Sequence, residues 1–328
     1  VDAVNVLGSR RHLRTRLAGL VSPRRWDAVV ALHSVFSNVR YLPGNLARAV
    51  RRLPVPKVYF IGNEYKSMPQ KLAFCAELDV SLLVSQFTTE PPLELYRSAL
   101  DCKVVGIPNT GFDPAVFAPR VPVEERPVDL GYRAFANRFE LGHQERRELA
   151  ERLSEAAARA GLATDFSLDP ADRFDEAGWA GFLNRCKGQV GSEAGGDYFE
   201  LTDETQQRVQ AYLAERPDAG FDDVFDRFFR HYPNPVPGRA LSGRVVEAAA
   251  TKTVQLLLEG EYGGYFEAGR HYIPVRKDFS NADDALATFR DPERAGAIRE
   301  EAFALVCEHL TYPKLLDRFH AELAPLLA

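Results

Sequence analysis

The chain is predicted to be an α/β protein made of two parallel-sheet units, each Rossmann-like, facing one another across a central cleft. Short apolar runs alternate with helical stretches in two successive series. A stretch rich in proline and charge, 114–127, separates the series, and from 292 onward the pattern stays helical. Alternation in this order builds parallel sheets with helices on both faces. At 328 residues the chain is long enough for two domains of ordinary size, each with its own core.

The elements follow in order. In the first series, 27–33, 57–62, 80–85 and 103–107 have the length and apolar content of buried strands, and 46–52, 69–78 and 92–100 carry helical patterns between them. In the second, strands are expected at 128–134, 164–168 and 188–192, with helices at 144–160 and 175–185. An acidic, aromatic-bearing helical insertion occupies 204–232. The run 242–286 reads helix, strand, glycine-rich loop, strand, helix. These patterns predict a first domain with its linker over 1–125, a second over 126–305, and a final helix over 306–328.

Composition fits a globular chain, with 45% hydrophobic and 27% charged residues. No apolar stretch reaches the roughly 18 residues of a membrane-spanning helix, and the start lacks a signal pattern, so a cytoplasmic location is expected. Cys75, Cys102, Cys186 and Cys307 are isolated in sequence, with no metal-ligand spacing, and are expected to be reduced packing residues. The net charge of -5 is unevenly spread. Between Ala3 and Asn63 the only acid is Asp27, against Arg10, Arg11, Arg14, Arg16, Arg24, Arg25, Arg40, Arg48, Arg51, Arg52 and Lys57. Such a segment fits attraction to an anionic membrane surface or acceptor, and equally a solvated helix face. Nucleic acid is disfavoured because aromatic interleaving is sparse and no zinc-finger, RNP or GXXG pattern occurs.

The most informative stretch is SGRVVEAAATKTVQLLLEGEYGGYFEAGRHYIPVRKDFSN, 242–281. Arg244 supplies a forked, permanently charged donor set that suits phosphate oxygens, and Glu247 can accept from vicinal hydroxyls. One helical turn separates them, so both can face one side; the plain alternative is an i,i+3 salt bridge. Gly260, Gly263 and Gly264 would admit close backbone approach, or serve as ordinary turn glycines. The helix start near Ser242 would offer free N–H groups to a phosphate.

This stretch resembles the donor half of nucleotide-sugar glycosyltransferases of the two-Rossmann GT-B type. More narrowly, its S-x-R-x-x-E-A-A, G-x-Y, H-Y-I-P and D-F-S-N segments are similar to the bacterial glycosyltransferase family 1 or CgeB-like group. HSVFSN at 33–38, IGNEYKSM at 61–68, NTGFDPAVF at 109–117, RPVDLGYRA at 126–134, LGHQER at 141–146 and GSEAGGDYFE at 191–200 extend the likeness over most of the chain. The resemblance implies sugar transfer from a nucleotide diphosphate to a hydroxyl acceptor, in polysaccharide, glycolipid or glycoconjugate synthesis. It also implies a last helix crossing back to the first domain and a location at the inner face of the membrane. The partners would be a nucleotide-sugar donor and a glycan or lipid-linked acceptor. No separate cofactor is expected, the nucleotide sugar being the donor substrate.

Site residues follow from strand ends and from the resemblance. Glu64 and His33 are the rival bases for the acceptor hydroxyl, each with a helix-capping alternative. Arg133 is placed for the diphosphate, or for a structural salt bridge. Glu193 and Gly195 lie in a glycine-broken loop that would pass a nucleobase, or form a plain turn. With Arg244, Glu247, Gly263 and Gly264 they make the expected donor site, while His271 and Tyr272 are expected in the core. No D-x-D triplet occurs, which points to a metal-independent enzyme. Arg239 stands eight positions before Glu247, where many retaining enzymes carry a second glutamate. Other readings of the chain are an epimerase-like enzyme on the same fold and a non-catalytic glycan- or polyanion-binding module.

Overall fold

A computed structural model describes residues 26–233 and 236–327. The first unit is a four-stranded parallel sheet ordered β1-β2-β3-β4: β1 Val29–Ala31, β2 Lys57–Phe60, β3 Leu82–Ser85 and β4 Lys103–Gly106. Its register pairs Val58 with Leu82, and Val84 with Val105. Helices α1 Gly44–Arg51, α2 Met68–Leu78 and α3 Glu90–Ala99 connect the strands. In α1, Leu46, Ala47 and Val50 recur at helical spacing and are the buried face. All four residues of β3 are buried, as a strand covered on both faces requires.

The second unit is a five-stranded parallel sheet, ordered β6-β5-β7-β10-β11. Its strands are β5 Val128–Arg133, β6 Thr164–Ser167, β7 Cys186–Gly191, β10 Val254–Leu258 and β11 Ile273–Val275. From β5 the chain moves outward to β6, then returns past β5 to β7. The β5/β7 boundary is therefore the switch point at which open parallel sheets hold ligands, outside the carboxyl ends of the strands. Helices α4 Glu145–Arg159 and α5 Glu176–Leu183 make these connections. Asp175 caps α5 by accepting from Gly178 N at 2.8 Å.

After β7 the chain forms an antiparallel pair, β8 Ala194–Gly196 with β9 Gly238–Ala240. Between them lie α6 Glu204–Glu215, α7 Phe221–Val224 and a single π-helical turn, Phe225–Phe229. The start of this excursion is anchored on the first unit: Phe199 packs on Phe87 and Tyr96 at 4.9 and 5.2 Å, and Asp203 accepts from Met68 N. Helix α8 Gly243–Ala250 leads into β10, and α9 Ala282–Arg290, α10 Pro292–His309 and α11 Tyr312–Leu323 complete the chain.

The last helix does cross back to the first sheet. Phe112 N donates to Leu310 O and Tyr312 N to Phe112 O, Phe319 packs edge-on against Phe60 at 5.0 Å, and Lys103 pairs with Glu322 at 2.7 Å. Val58, Leu82 and Val84 of the first sheet thereby share one apolar cluster with Val245, Leu257, Val306 and Leu315. No helix among the described residues is long and apolar enough to cross a membrane. The basic residues from Arg10 to Arg25 lie outside the described residues.

Candidate donor site at the carboxyl ends of the second sheet

The amino end of α8 is set by the β8–β9 pair. Gly195 lies opposite Arg239 in this pair with φ at +91°, and a Cβ there would come within 1.9 Å of Gly238 O. Only glycine fits this backbone. The strand pair turns the chain at Leu241 and starts α8 at Gly243, which puts Arg244 and Glu247 on the helix face beside the end of β5.

Arg133, Phe135, Phe174, Trp179, Arg244 and Glu247 line one cavity of about 300 Å³. The i,i+3 salt bridge is not formed, since no ion pair within 4 Å joins Arg244 to Glu247. Instead, Trp179 Nε1 donates to Glu247 Oε2 at 2.7 Å. Burial raises the Glu247 pKa, opposed by the indole bond and by the charge of Arg244. Burial lowers the Arg244 pKa, and the neighbouring Arg146 adds to this. The Arg244 guanidinium makes no hydrogen bond or ion pair among the described residues. A largely buried cation held without a partner beside a cavity can take up an anion, because an arriving anion offsets its desolvation cost.

The other expected residues divide. Arg133 lines the cavity but is already engaged: it donates to Asp165 O at 2.8 Å, pairs with Asp165 Oδ1 at 2.6 Å, and lies over Phe182 at 4.6 Å. It therefore builds the cavity wall. Glu193 accepts from Tyr262 N at 2.7 Å and is 8% exposed, so it fastens the glycine loop from inside; burial raises its pKa. Gly195 serves strand pairing. Contrary to expectation, neither residue presents a free group to a nucleobase: Glu193 is buried and bound to Tyr262 N, and Gly195 is paired with Arg239 in the β8–β9 ladder. Gly263 and Gly264 have positive φ, +65° and +77°. Gly263 faces the first unit, its carbonyl accepting from Thr88 Oγ1 at 2.8 Å, so the loop seals the two units together. His271 and Tyr272 are core residues, 6% and 1% exposed.

Glu64 requires a correction of position. It was expected on the cleft wall, but Asn63 takes a left-handed φ of +49° and turns the next side chain inward. Glu64 is 2% exposed, its Oε2 accepting from Ser85 Oγ at 2.8 Å and Tyr96 OH at 2.6 Å, its Oε1 from Gln86 N at 2.8 Å. Nearby, the buried Lys71 ammonium donates to the carbonyls of Gly62, Asn63 and Lys66, which fixes the whole turn. Such a carboxylate cannot reach an acceptor hydroxyl. His33, by contrast, is exposed just past β1, its Cβ against Gly62.

Burial pushes the Glu64 pKa up to about 7, against the opposing hydrogen bonds from Tyr96, Gln86 and Ser85. An unfolded glutamate titrates near about 4.3, so between these values the folded chain binds the proton more strongly. Stability from this group is thus fully present below about pH 4.3 and is lost as pH rises through about 7. Glu64→Gln should abolish that decline. Urea unfolding compared at about pH 5 and about pH 8 measures it; parallel pH dependence in variant and parent would reject a sealed acid.

Sequence reading missed two features. Trp179 has no sequence signal distinguishing it from an ordinary core aromatic of α5. The second is the charge cluster around Arg239, whose signal in the sequence was a cation eight positions before Glu247. Arg239 makes a fork onto Glu145, 2.8 Å from each oxygen, and also pairs with Asp197; Lys277 reaches Glu145 at 3.3 Å. The position eight before Glu247 is thus neutralised from both sides rather than acidic. Among the described residues, no group of three His, Cys, Asp or Glu side chains could hold a metal ion.

No family model and no curated protein matches this chain. Solved structures do. The sucrose-phosphate synthase of Thermosynechococcus elongatus superposes with a TM-score of 0.52 at 11% identity, over 96% of this chain and 78% of that one. HepE of Anabaena, solved with UDP-glucose, gives 0.52 at 11% identity, over 94% and 82%. TarM of S. aureus, solved with fondaparinux, α-GlcNAc-glycerol and UDP, gives 0.53 at 10% identity, over 95% of this chain but only 58% of TarM. The fold is that of the GT-B glycosyltransferases: two parallel-sheet units with a returning carboxyl-terminal helix.

Proposed function

We propose that this chain is a metal-independent glycosyltransferase that moves a sugar from a nucleotide diphosphate to a hydroxyl acceptor, and that it falls in the bacterial glycosyltransferase family 1 or CgeB-like group. The observation that carries this reading is the unpaired Arg244 guanidinium beside Glu247, in one cavity at the amino end of α8. A guanidinium and a helix amino terminus together stabilise the negative charge that builds on a departing diphosphate. Trp179 holds Glu247 in one orientation, and in this reading its carboxylate accepts from vicinal ribose hydroxyls. With Glu64 sealed, His33 is the base proposed for the acceptor hydroxyl. The test is turnover of nucleotide sugars with and without glycan or lipid-linked acceptors. Release of nucleoside diphosphate that rises with acceptor supports transfer; isomerised donor without acceptor would show an epimerase instead.

The acceptor side motivates a location at the inner face of the membrane, with synthesis of polysaccharide, glycolipid or glycoconjugate as the setting. Arg51 and Arg52 at the end of α1 are exposed and form no ion pair among the described residues, and Leu32, Val39 and Tyr41 are exposed apolar residues of the same unit. Binding to anionic vesicles should be strong at low salt and fade as the Debye length falls from about 10 Å at 0.1 M to about 3 Å at 1 M. Co-sedimentation that is absent at low salt would reject membrane attraction.

A further inference from the structure

The donor cavity holds a second guanidinium without an anionic partner, that of Arg173. Arg173 lies in the loop between β6 and α5, much of which lines the cavity from Asp169 to Glu176. Two cation–π contacts latch this loop to the end of β5: Arg133 lies over Phe174 at 5.5 Å, and Arg173 over Phe135 at 5.4 Å. In the second contact the cation belongs to the loop, so the loop folds its own charge back over the strand end. Stacking uses only the face of the guanidinium. Its N–H donors all lie in the plane, and the Arg173 side chain forms no hydrogen bond or ion pair among the described residues, so that edge is open to a two-point contact.

This placement runs against the local charges. Asp172 adjoins Arg173 and Glu176 follows three positions on, yet Arg173 pairs with neither. Asp169 and Asp175 are turned to backbone, accepting from Ala171 N and Gly178 N at 2.8 Å each. Arg173 instead lines the same cavity as Arg244, whose pKa is lowered by burial first, then by Arg146, with Arg173 adding to the effect. Like charges lining one cavity repel, and an anion lying between them relieves the repulsion. Asp172 and Glu176 are exposed, and charges on an exposed rim act weakly on a ligand; a guanidinium fork in contact with phosphate is the stronger term.

We infer that Arg173 is a second arginine of the diphosphate site, its fork gripping one phosphoryl group while Arg244 and the amino end of α8 hold the other. The loop between β6 and α5 is then a clasp over the donor. A nucleotide sugar carries one negative charge on each phosphoryl group, so an arginine for each leaves neither charge uncompensated. The contact strengthens during transfer, when the bond between the sugar and the diphosphate oxygen breaks and its electron pair stays on that oxygen.

This inference rests on the nucleotide reading, and one experiment separates the two. Titration calorimetry is run on the parent chain, Arg173→Ala and Arg173→Lys, with inorganic pyrophosphate and with whichever of ADP, CDP, GDP and UDP the parent binds most tightly. The Arg173 side chain is exposed, so the fold is not at stake. Arg173→Ala should weaken both ligands by roughly tenfold, the scale of a charge-assisted hydrogen bond lost. Arg173→Lys keeps the charge and loses the fork, so it should recover only part of the loss. Unchanged affinity in Arg173→Ala, a loss seen with the nucleotide but not with pyrophosphate, or full recovery in Arg173→Lys overturns the Arg173 contact and leaves the Arg244 site standing. If the parent binds neither pyrophosphate nor any of these nucleotides, the nucleotide reading falls and the Arg173 contact with it.

Discussion

Arg239→Ala should destabilise the fold by about 3 to 5 kcal/mol, the usual cost of removing one partner from a buried ion pair. The side chain is 11% exposed and its partner Glu145 is 8% exposed, so the carboxylate left behind cannot be solvated. Asp197, 44% exposed, can turn to water and adds little. Lys277 remains near Glu145 but is itself 58% exposed, which makes it a weak substitute for a two-point fork. Arg239→Lys keeps the charge and loses the fork, so its cost should be intermediate.

The pH dependence has a definite sign. In the parent chain, burial pushes the Glu145 pKa up, but the charges of Arg239 and His143 and the Arg239 hydrogen bonds outweigh it and hold the value below the ordinary range. Its contribution is present above the unfolded pKa, near about 4.3, and is lost as pH falls through the folded value. Without Arg239 the burial effect is left less opposed, so the variant should recover stability relative to the parent as pH falls. Urea unfolding at two pH values measures both effects. A gap between variant and parent that stays constant with pH would show that Arg239 acts through packing alone.

The second large effect is on binding. Arg244→Ala should weaken nucleoside diphosphate binding by roughly tenfold or more, the scale of a charge-assisted hydrogen bond lost. The stability of the free protein should hardly change, because this guanidinium has no partner to abandon. Glu247→Gln should cause a comparable loss in affinity for nucleotides carrying intact ribose hydroxyls, while its remaining oxygen still accepts from Trp179. Titration calorimetry on both folded variants is the measurement. Unchanged affinity in the two variants would remove the donor site from α8.

These expectations rest on two kinds of information. Strand and helix positions were legible because they depend on local apolar periodicity. The predicted strand at 128–134 and helix at 144–160 correspond within a residue or two to Val128–Arg133 and Glu145–Arg159. The alternation of these elements carried the fold class. Arg244 and Glu247 were also legible, since one helical turn alone fixes which residues share a face.

Direction of a side chain out of a loop was not legible. Glu64 ends a strand near the cleft as expected, yet a single left-handed residue at Asn63 and three donors from β3, its following residue and α3 turn it inward. Trp179 and Arg239 acquire their roles from partners 40 to 100 positions away, as with the 68-residue separation of Trp179 and Glu247 and the 94-residue separation of Arg239 and Glu145. The sequence by itself determined the α/β class, the order of elements and the pairing of Arg244 with Glu247 on one helix face, because those depend on short-range periodicity. Only the tertiary structure decided which charges are paired, which are sealed and which are left facing a cavity, because desolvation and hydrogen-bond geometry depend on neighbours that the chain brings together only when folded.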